Sequence, residues 1–197
     1  MNFRIVMLSV ASAAALLGQV CNSASALPIK GSLIYTSIGD SHKDKTGLCK
    51  VYKNSGDADN PLVESRCPGG PNGWPVTMFS ADARDVVYFG KEAAGEHTAE
   101  ALQGAFADPH STIEWHVSGN VPYAAIHRYF FGANQVLTVH KLNPGHTSCV
   151  AAVVAVERGR DANIEAARFA DQIVPDFRCG VDKLVNIGAV DALLQPK

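Results

Sequence analysis

The most constraining feature of this sequence is an even set of four cysteines that follows an N-terminal segment typical of an export signal. That segment carries Arg4, an apolar run over residues 5–17 and a small-x-small ending at residues 23–26. Cleavage after Ala26 is expected to remove residues 1–26, including the fifth cysteine. Because exported proteins fold in an oxidising compartment, the remaining cysteines predict two disulfides. They are Cys49, Cys67, Cys149 and Cys179.

Two alternatives would keep the N-terminal segment attached to a membrane. A lipoprotein anchor would use Cys21, but Gly18 stands where a large aliphatic residue is normally needed. A retained helical anchor is disfavoured because the apolar run is shorter than the roughly 20 residues that a bilayer span needs. Residues 27–197 are therefore expected to form one periplasmic or secreted domain without membrane contact after cleavage.

Composition excludes several classes of protein. The 197 residues are 47% hydrophobic, which is too apolar for an intrinsically disordered chain. Lys and Arg total 17 against 19 Asp and Glu, a net charge of -2. This balance provides no basic surface for nucleic acid, so no nucleic-acid partner is expected.

Hydrophobic patterning predicts an α+β domain: an antiparallel sheet with one C-terminal helix packed on it. Residues 112–117 alternate strictly, and residues 149–156 are almost all Val and Ala, as in a strand covered on both faces. Asp161 is placed to cap a helix that extends to Pro175. Ile164 is predicted on its apolar face and Asp171 on its water-facing side.

Further strands are predicted over 33–38, 48–52, 62–67, 74–79, 85–89, 122–131 and 135–142. A loop with a short helix near residues 98–103 is expected between the two halves. The residues from Pro68 to Gly73 are expected to form an irregular turn within a single domain.

The four cysteines allow three pairings, and bonds between sequence neighbours are the simplest. Cys49 would then pair with Cys67 across a hairpin, and Cys149 with Cys179 after the helix. Neither pair has the spacing of a metal site. The sequence also contains no Cys-x-x-Cys, which disfavours a thiol oxidoreductase.

Several short motifs together resemble a group of small secreted bacterial proteins that has no established activity. The motifs are Tyr35-Thr36-Ser37, Cys67 to Gly70, Ile113 to Trp115, Arg128 to Phe130, Asp161-Ala162-Asn163, Ala170-Asp171 and Phe177 to Cys179. This resemblance implies a single-domain, periplasmic protein with two disulfides. It transfers no catalytic or binding residue.

The best polar cluster in the sequence is Glu114 and His116, two residues apart on one strand face, with His110 and Asp108 nearby. Side chains two apart on a strand point the same way, and carboxylate and imidazole can act as zinc ligands or as acid and base. The alternative interpretation is a solvated sheet face without a chemical role. His127 is expected to be structural or on the surface.

His140 and His146 flank a turn, so they could approach each other in space. Arg158 and Arg160 precede the predicted helix and could bind an anion at its N-terminus, or pair with neighbouring acids. The glycine-rich stretch at residues 69–73 contains a proline and lacks the lysine of a phosphate-binding loop. No Gly-x-Ser-x-Gly elbow occurs, which disfavours a serine nucleophile. No catalytic, metal or cofactor motif stands out elsewhere, so no catalytic residue, metal or cofactor is predicted.

These features favour a non-enzymatic binding or accessory module of the cell envelope. Its partner would be another envelope protein or a small ligand. The alternative is a small periplasmic hydrolase or metal-dependent enzyme that uses Glu114, His116 and their neighbours. A concave site that brings these residues together would favour the enzyme.

Overall fold

A computed structural model describes residues 31–39, 48–57, 61–82, 84–91 and 95–195. The predicted signal peptide at residues 1–26 and the lipoprotein alternative at Cys21 lie outside these residues. The strands are β1 Ser32–Ser37, β2 Lys50–Gly56, β3 Pro61–Arg66, β4 Val76–Ala81, β5 Arg84–Phe89, β6 Asp108–Ser118, β7 Val121–Phe131, β8 Asn134–Asn143, β9 Thr147–Ala155 and β10 Val185–Ile187. The α-helices are α1 Gly95–Ala101, α2 Ala162–Gln172 and α3 Val190–Leu194.

The strands form two sheets, and the predicted α+β fold with one sheet and one helix is wrong. Of the residues that the structure describes, 51% lie in strands and 18% in helices. One sheet has the order β1-β6-β7-β8-β9-β10, with β10 parallel to β9 and every other pair antiparallel. The other has the order β2-β3-β4-β5 and is antiparallel throughout. Alternation locates strands and their inward faces, but it does not state which strands share a sheet.

Strand β5 is an edge strand of the four-stranded sheet, and its residues 86–89 are buried against the six-stranded sheet and α1. Phe89 packs edge-on against Trp115 of β6, with ring centroids 5.4 Å apart. The backbone of Val87 forms hydrogen bonds with two side chains from outside the four-stranded sheet. Its amide donates to the Tyr129 hydroxyl at 2.9 Å, and its carbonyl accepts from Thr98 at 3.4 Å. These bonds satisfy polar groups at a strand edge that would otherwise be buried without partners.

Helix α2 covers the opposite face of the six-stranded sheet. Asp161 caps it by accepting a hydrogen bond from the Ile164 amide at 3.2 Å. Its buried side chains, which are mostly alanines, pack on strands β7, β8 and β9: Ala162, Ala166, Phe169 and Ala170. Ile164 is 65% exposed, so its predicted place on the apolar face is wrong. The apolar face is narrower than predicted.

The disulfides join Cys49 to Cys67 and Cys149 to Cys179, as predicted from their order in the sequence. The first bond closes the base of the β2–β3 hairpin. The second ties β9 to the segment that leaves α2. Two disulfides are compatible with a protein that folds outside the cytoplasm. In the described part of the chain, no helix has both the length and the apolar character needed to cross a membrane.

Candidate functional site

His116 lies at the centre of a polar cluster between the six-stranded sheet and α2. Its Nε2 is 3.0 Å from Oε1 of Glu114, and its Nδ1 is 2.6 Å from Oδ1 of Asp171. Tyr35 donates its hydroxyl to Oε2 of Glu114 at 3.0 Å, and Tyr123 donates to Oδ1 of Asp171 at 2.7 Å. We call these five residues the His116 clasp. It joins β1, β6 and β7 to α2.

The surroundings of His116 favour its charged form. Burial opposes that charge, but the hydrogen bonds that His116 donates to Glu114 and Asp171 outweigh burial, and the pKa of His116 is raised above its ordinary value. Both ring nitrogens then donate, one to each carboxylate. Burial and the Asp171 carboxylate also raise the pKa of Tyr123, which keeps its phenol protonated as a donor.

This geometry limits what the clasp can do chemically. An imidazole that donates from both nitrogens has no free lone pair to bind a metal or accept a proton. Within the residues that the structure describes, no group of three or more His, Cys, Asp or Glu side chains is arranged to hold a metal ion. His116 is also only 1% exposed, so the interpretation of its strand face as solvated is wrong. Helix α2 covers that face, and Asp171 points back towards the sheet instead of outward.

The other predicted site residues lie apart from the clasp. His110 accepts a hydrogen bond from the Thr112 amide at Nδ1 (3.0 Å), and its ring packs beside Phe130 at 5.6 Å. Arg160 forms two hydrogen bonds with Glu165, the shorter of 2.7 Å. Arg158 is exposed on the turn before α2. The Arg160 guanidinium is therefore already engaged by Glu165, an acid of α2.

Two further histidines, His127 and His140, lie close together between the two sheets. His127 and His140 are each 1% exposed, and both pack edge-on against Phe89. His127 donates from Nε2 to the His110 carbonyl at 2.7 Å, and its buried Nδ1 has no partner among the residues described. His140 donates from Nε2 to the Thr138 hydroxyl at 2.9 Å. Burial lowers the pKa of His127 to about 4 and that of His140 to about 3, so both rings are neutral. His146 instead packs edge-on against Trp74, with ring centroids 4.8 Å apart.

Two adjoining clefts meet at Arg84. The first has a volume of about 500 Å³ and lies between the turn after α1, the β7–β8 turn and the end of α3. The second has a volume of about 360 Å³ and lies between α1 and the face of β4 and β5. Arg84, Gly104 and Ala105 line both. The second is lined mainly by apolar and aromatic side chains: Phe79, Ala81, Val86, Tyr88, Ala99 and Leu102. We call the two clefts together the Arg84 clefts.

The Arg84 side chain is positioned by an aromatic ring and a single weak ion pair. Its guanidinium carbon lies 4.5 Å from the centroid of the Phe106 ring. Nη2 is 3.1 Å from Oδ2 of Asp82, whose side chain is 65% exposed. Nε is buried and has no hydrogen-bond partner within the part of the chain that the structure describes. Since exposed ion pairs contribute little, an anion that entered the clefts could compete with Asp82 for this guanidinium.

Sequence reasoning identified Glu114 and His116 but missed the other members of both sites. Asp171, Tyr123 and Tyr35 come from distant segments, and no short motif links them to Glu114. Arg84 directly precedes the predicted strand over 85–89, and Phe106 lies within the predicted loop between the two halves. The one available hint was Phe106, a large aromatic residue in a segment otherwise rich in Ala and Gly. Comparison of the chain with protein-family models, curated proteins and solved structures finds no match.

Proposed function

We propose that the protein is a non-enzymatic binding module that acts in the periplasm or outside the cell and holds a small amphiphilic anion in the Arg84 clefts. The observation that carries this proposal is the meeting of two clefts, one of them largely apolar, at a guanidinium whose Nε has no partner among the described residues. Ligand sites have this character: mostly apolar walls, a few polar groups and a volume of about 300–1,000 Å³.

The chemistry of the walls indicates the ligand class. An aliphatic chain would fit against Phe79, Val86 and Leu102 in the second cleft, because these side chains offer little to a polar ligand. A carboxylate at the end of that chain could accept hydrogen bonds from Arg84, which suits planar, bidentate recognition. We therefore propose fatty carboxylates as the ligand class.

The His116 clasp supports a structural role better than a catalytic one. Hydrolysis or metal chemistry at Glu114 would need a free imidazole nitrogen, whereas both nitrogens of His116 face carboxylates. The export signal and the resemblance to small secreted bacterial proteins support the proposed location. Intact mass measured on the exported protein would test cleavage after Ala26.

Calorimetric titration with dodecanoate and dodecanol tests the ligand proposal. Dodecanoate is expected to bind saturably and to be recovered chemically unchanged. Arg84→Met should weaken dodecanoate binding about tenfold or more and leave dodecanol binding unchanged, because only the charged contact is lost. Ala99→Phe should fill the second cleft and abolish binding of both ligands.

Arg178→Met is the matched control, because Arg178 is an exposed arginine paired with Asp182 through a 2.7 Å contact. It should bind dodecanoate as the wild type does. Absence of dodecanoate binding, or equal binding by Ala99→Phe, would refute the assignment of the ligand to these clefts.

A further inference from the structure

A third cleft, about 330 Å³ in volume, lies on the four-stranded sheet and shares no described lining residue with the Arg84 clefts. It is bounded by the base of the β2–β3 hairpin, the turn that follows Cys67, the start of β4 and the end of β5. We call it the Trp74 cleft. Its described lining includes two cations, Arg66 and Lys91, and no acidic residue.

Both cations of the Trp74 cleft line one cavity, and its described lining residues include no carboxylate. Arg66 lies over the ring of Tyr52, with 4.7 Å from its guanidinium carbon to the ring centroid. Lys50 stands directly across from Arg66 in the β2–β3 register, so the same strand pair carries a third positive charge. Like charges opposite each other on neighbouring strands destabilise a sheet. A bound anion would remove that cost.

Trp74 lines the Trp74 cleft, and its indole nitrogen is a separate indication that a hydrogen-bond acceptor is missing. Trp74 is 5% exposed, and its Nε1–H is buried without an acceptor among the described residues. A buried donor left without a partner carries the cost of its desolvation, and such groups are rare in native proteins. A ligand oxygen that reached this N–H would satisfy it.

We infer that the Trp74 cleft binds a phosphate group through Arg66, Lys91 and the Trp74 indole N–H. A phosphate monoester carries close to two negative charges and three acceptor oxygens at neutral pH. Two cations and a neutral donor match that charge and number of acceptors better than they match a single carboxylate. Arginine adds the planar, paired donors that suit phosphate oxygens. This inference does not depend on the Arg84 clefts.

Nuclear magnetic resonance of the nitrogen-15-labelled protein can test this site directly. The chain has two tryptophans, so its spectrum should show two indole N–H signals, and Trp74→Phe would identify the one from Trp74. Titration with inorganic phosphate, at constant ionic strength kept with chloride, is expected to shift the Trp74 signal saturably. The Trp115 signal should stay in place.

Lys91→Gln and Arg66→Gln should each weaken the phosphate response about tenfold or more. Lys91 follows the end of β5 and is exposed, so its replacement should leave the fold intact. Lys183→Gln, a change at another exposed lysine, should respond as the wild type does. Tighter binding of glycerol 3-phosphate than of inorganic phosphate would support a phosphomonoester ligand, and equal binding would support free phosphate. An unmoved Trp74 signal, or an unchanged response in Lys91→Gln, would overturn the inference.

Discussion

The imidazole of His116 lies between two carboxylates, 3.0 Å from Glu114 on one side and 2.6 Å from Asp171 on the other. Glu114 belongs to β6 and Asp171 to α2, so one side chain joins a sheet to the helix that covers it. Near the end of the same helix, Lys141 of β8 donates to the carbonyls of Val174 and Pro175 at 2.8 and 2.7 Å. Two cationic side chains of the sheet therefore fasten the C-terminal part of α2 and the turn that follows it.

The His116 clasp should stabilise the fold in a pH-dependent manner. Since the folded pKa of His116 is raised, its contribution is complete below the unfolded pKa of about 6.5 and declines as the pH rises through the folded value. His116→Gln should lower the unfolding free energy by about 2 kcal/mol at acidic pH, because it leaves two partly buried carboxylates without their cation. The measurement is urea unfolding of both proteins across the pH range from weakly acidic to alkaline. A difference that stayed constant or grew with pH would contradict this account.

The buried pair His127 and His140 should act in the opposite direction. Their folded pKa values, about 4 and about 3, lie below the unfolded value. Their contribution to the unfolding free energy is therefore complete above about pH 6.5. It is lost as the pH falls towards the folded pKa values, by about 1.4 kcal/mol per pH unit for each ring. His127 and His140 together cause part of the decrease of the unfolding free energy in acid. His140→Leu should roughly halve that part. Thr138→Val is the control, since it removes the hydroxyl next to His140 without removing a titrating group. Equal acid sensitivity of the unfolding free energy in His140→Leu and the wild type would contradict a role of His140 in that sensitivity.

The two disulfides should differ in how far their loss spreads. Replacing Cys149 and Cys179 by alanine should cost about 3 kcal/mol of unfolding free energy and speed amide exchange across β9 and α2. Replacing Cys49 and Cys67 should mainly speed exchange in the β2–β3 hairpin, because every residue of β2 is exposed. Hydrogen exchange on the two double variants measures both effects. Protection lost equally throughout the sheets in both variants would show that the hairpin bond also supports the whole fold.

Local features of this chain were predictable because their causes are local. The alternation at residues 112–117 assigned Ile113, Trp115 and Val117 to one face, and all three are buried between the sheets. Asp161 caps α2 as its sequence context predicts. Sequence order also predicted the pairing of the cysteines.

Sheet membership and the sites were not predictable, because they depend on contacts between distant segments. The strands from β2 to β5 close into their own sheet, which local alternation does not encode. The sequence predicts that Asp171 faces water, because helical periodicity identifies only the apolar face of α2. A carboxylate next to that face can point towards the sheet or towards solvent. Strand β10 and helix α3 were missed because three and five residues are too short to show a period.

The close approach of Gly70 to Trp115 gives a last test of how the sheets pack. Gly70 has φ -78° and ψ -172°, a backbone conformation that alanine adopts without strain. A Cβ placed there would lie 2.3 Å from Cζ2 of Trp115, which is fully buried and donates its indole N–H to Thr36 at 2.8 Å. Gly70→Ala should therefore lower the unfolding free energy by about 2 kcal/mol through overpacking alone.

Two further variants separate that clash from a general effect of the turn. Gly69→Ala is the neighbouring control, because its Cβ would meet only backbone atoms, the nearest being the Trp74 oxygen at 3.2 Å, and its cost should be smaller. Adding Trp115→Phe to Gly70→Ala should recover part of the loss, since the smaller ring makes room for the methyl group. Denaturant unfolding of the single and double variants gives this coupling energy. If the free-energy changes of the two single variants were additive, a clash with the Trp115 ring would not explain why Gly70 is required.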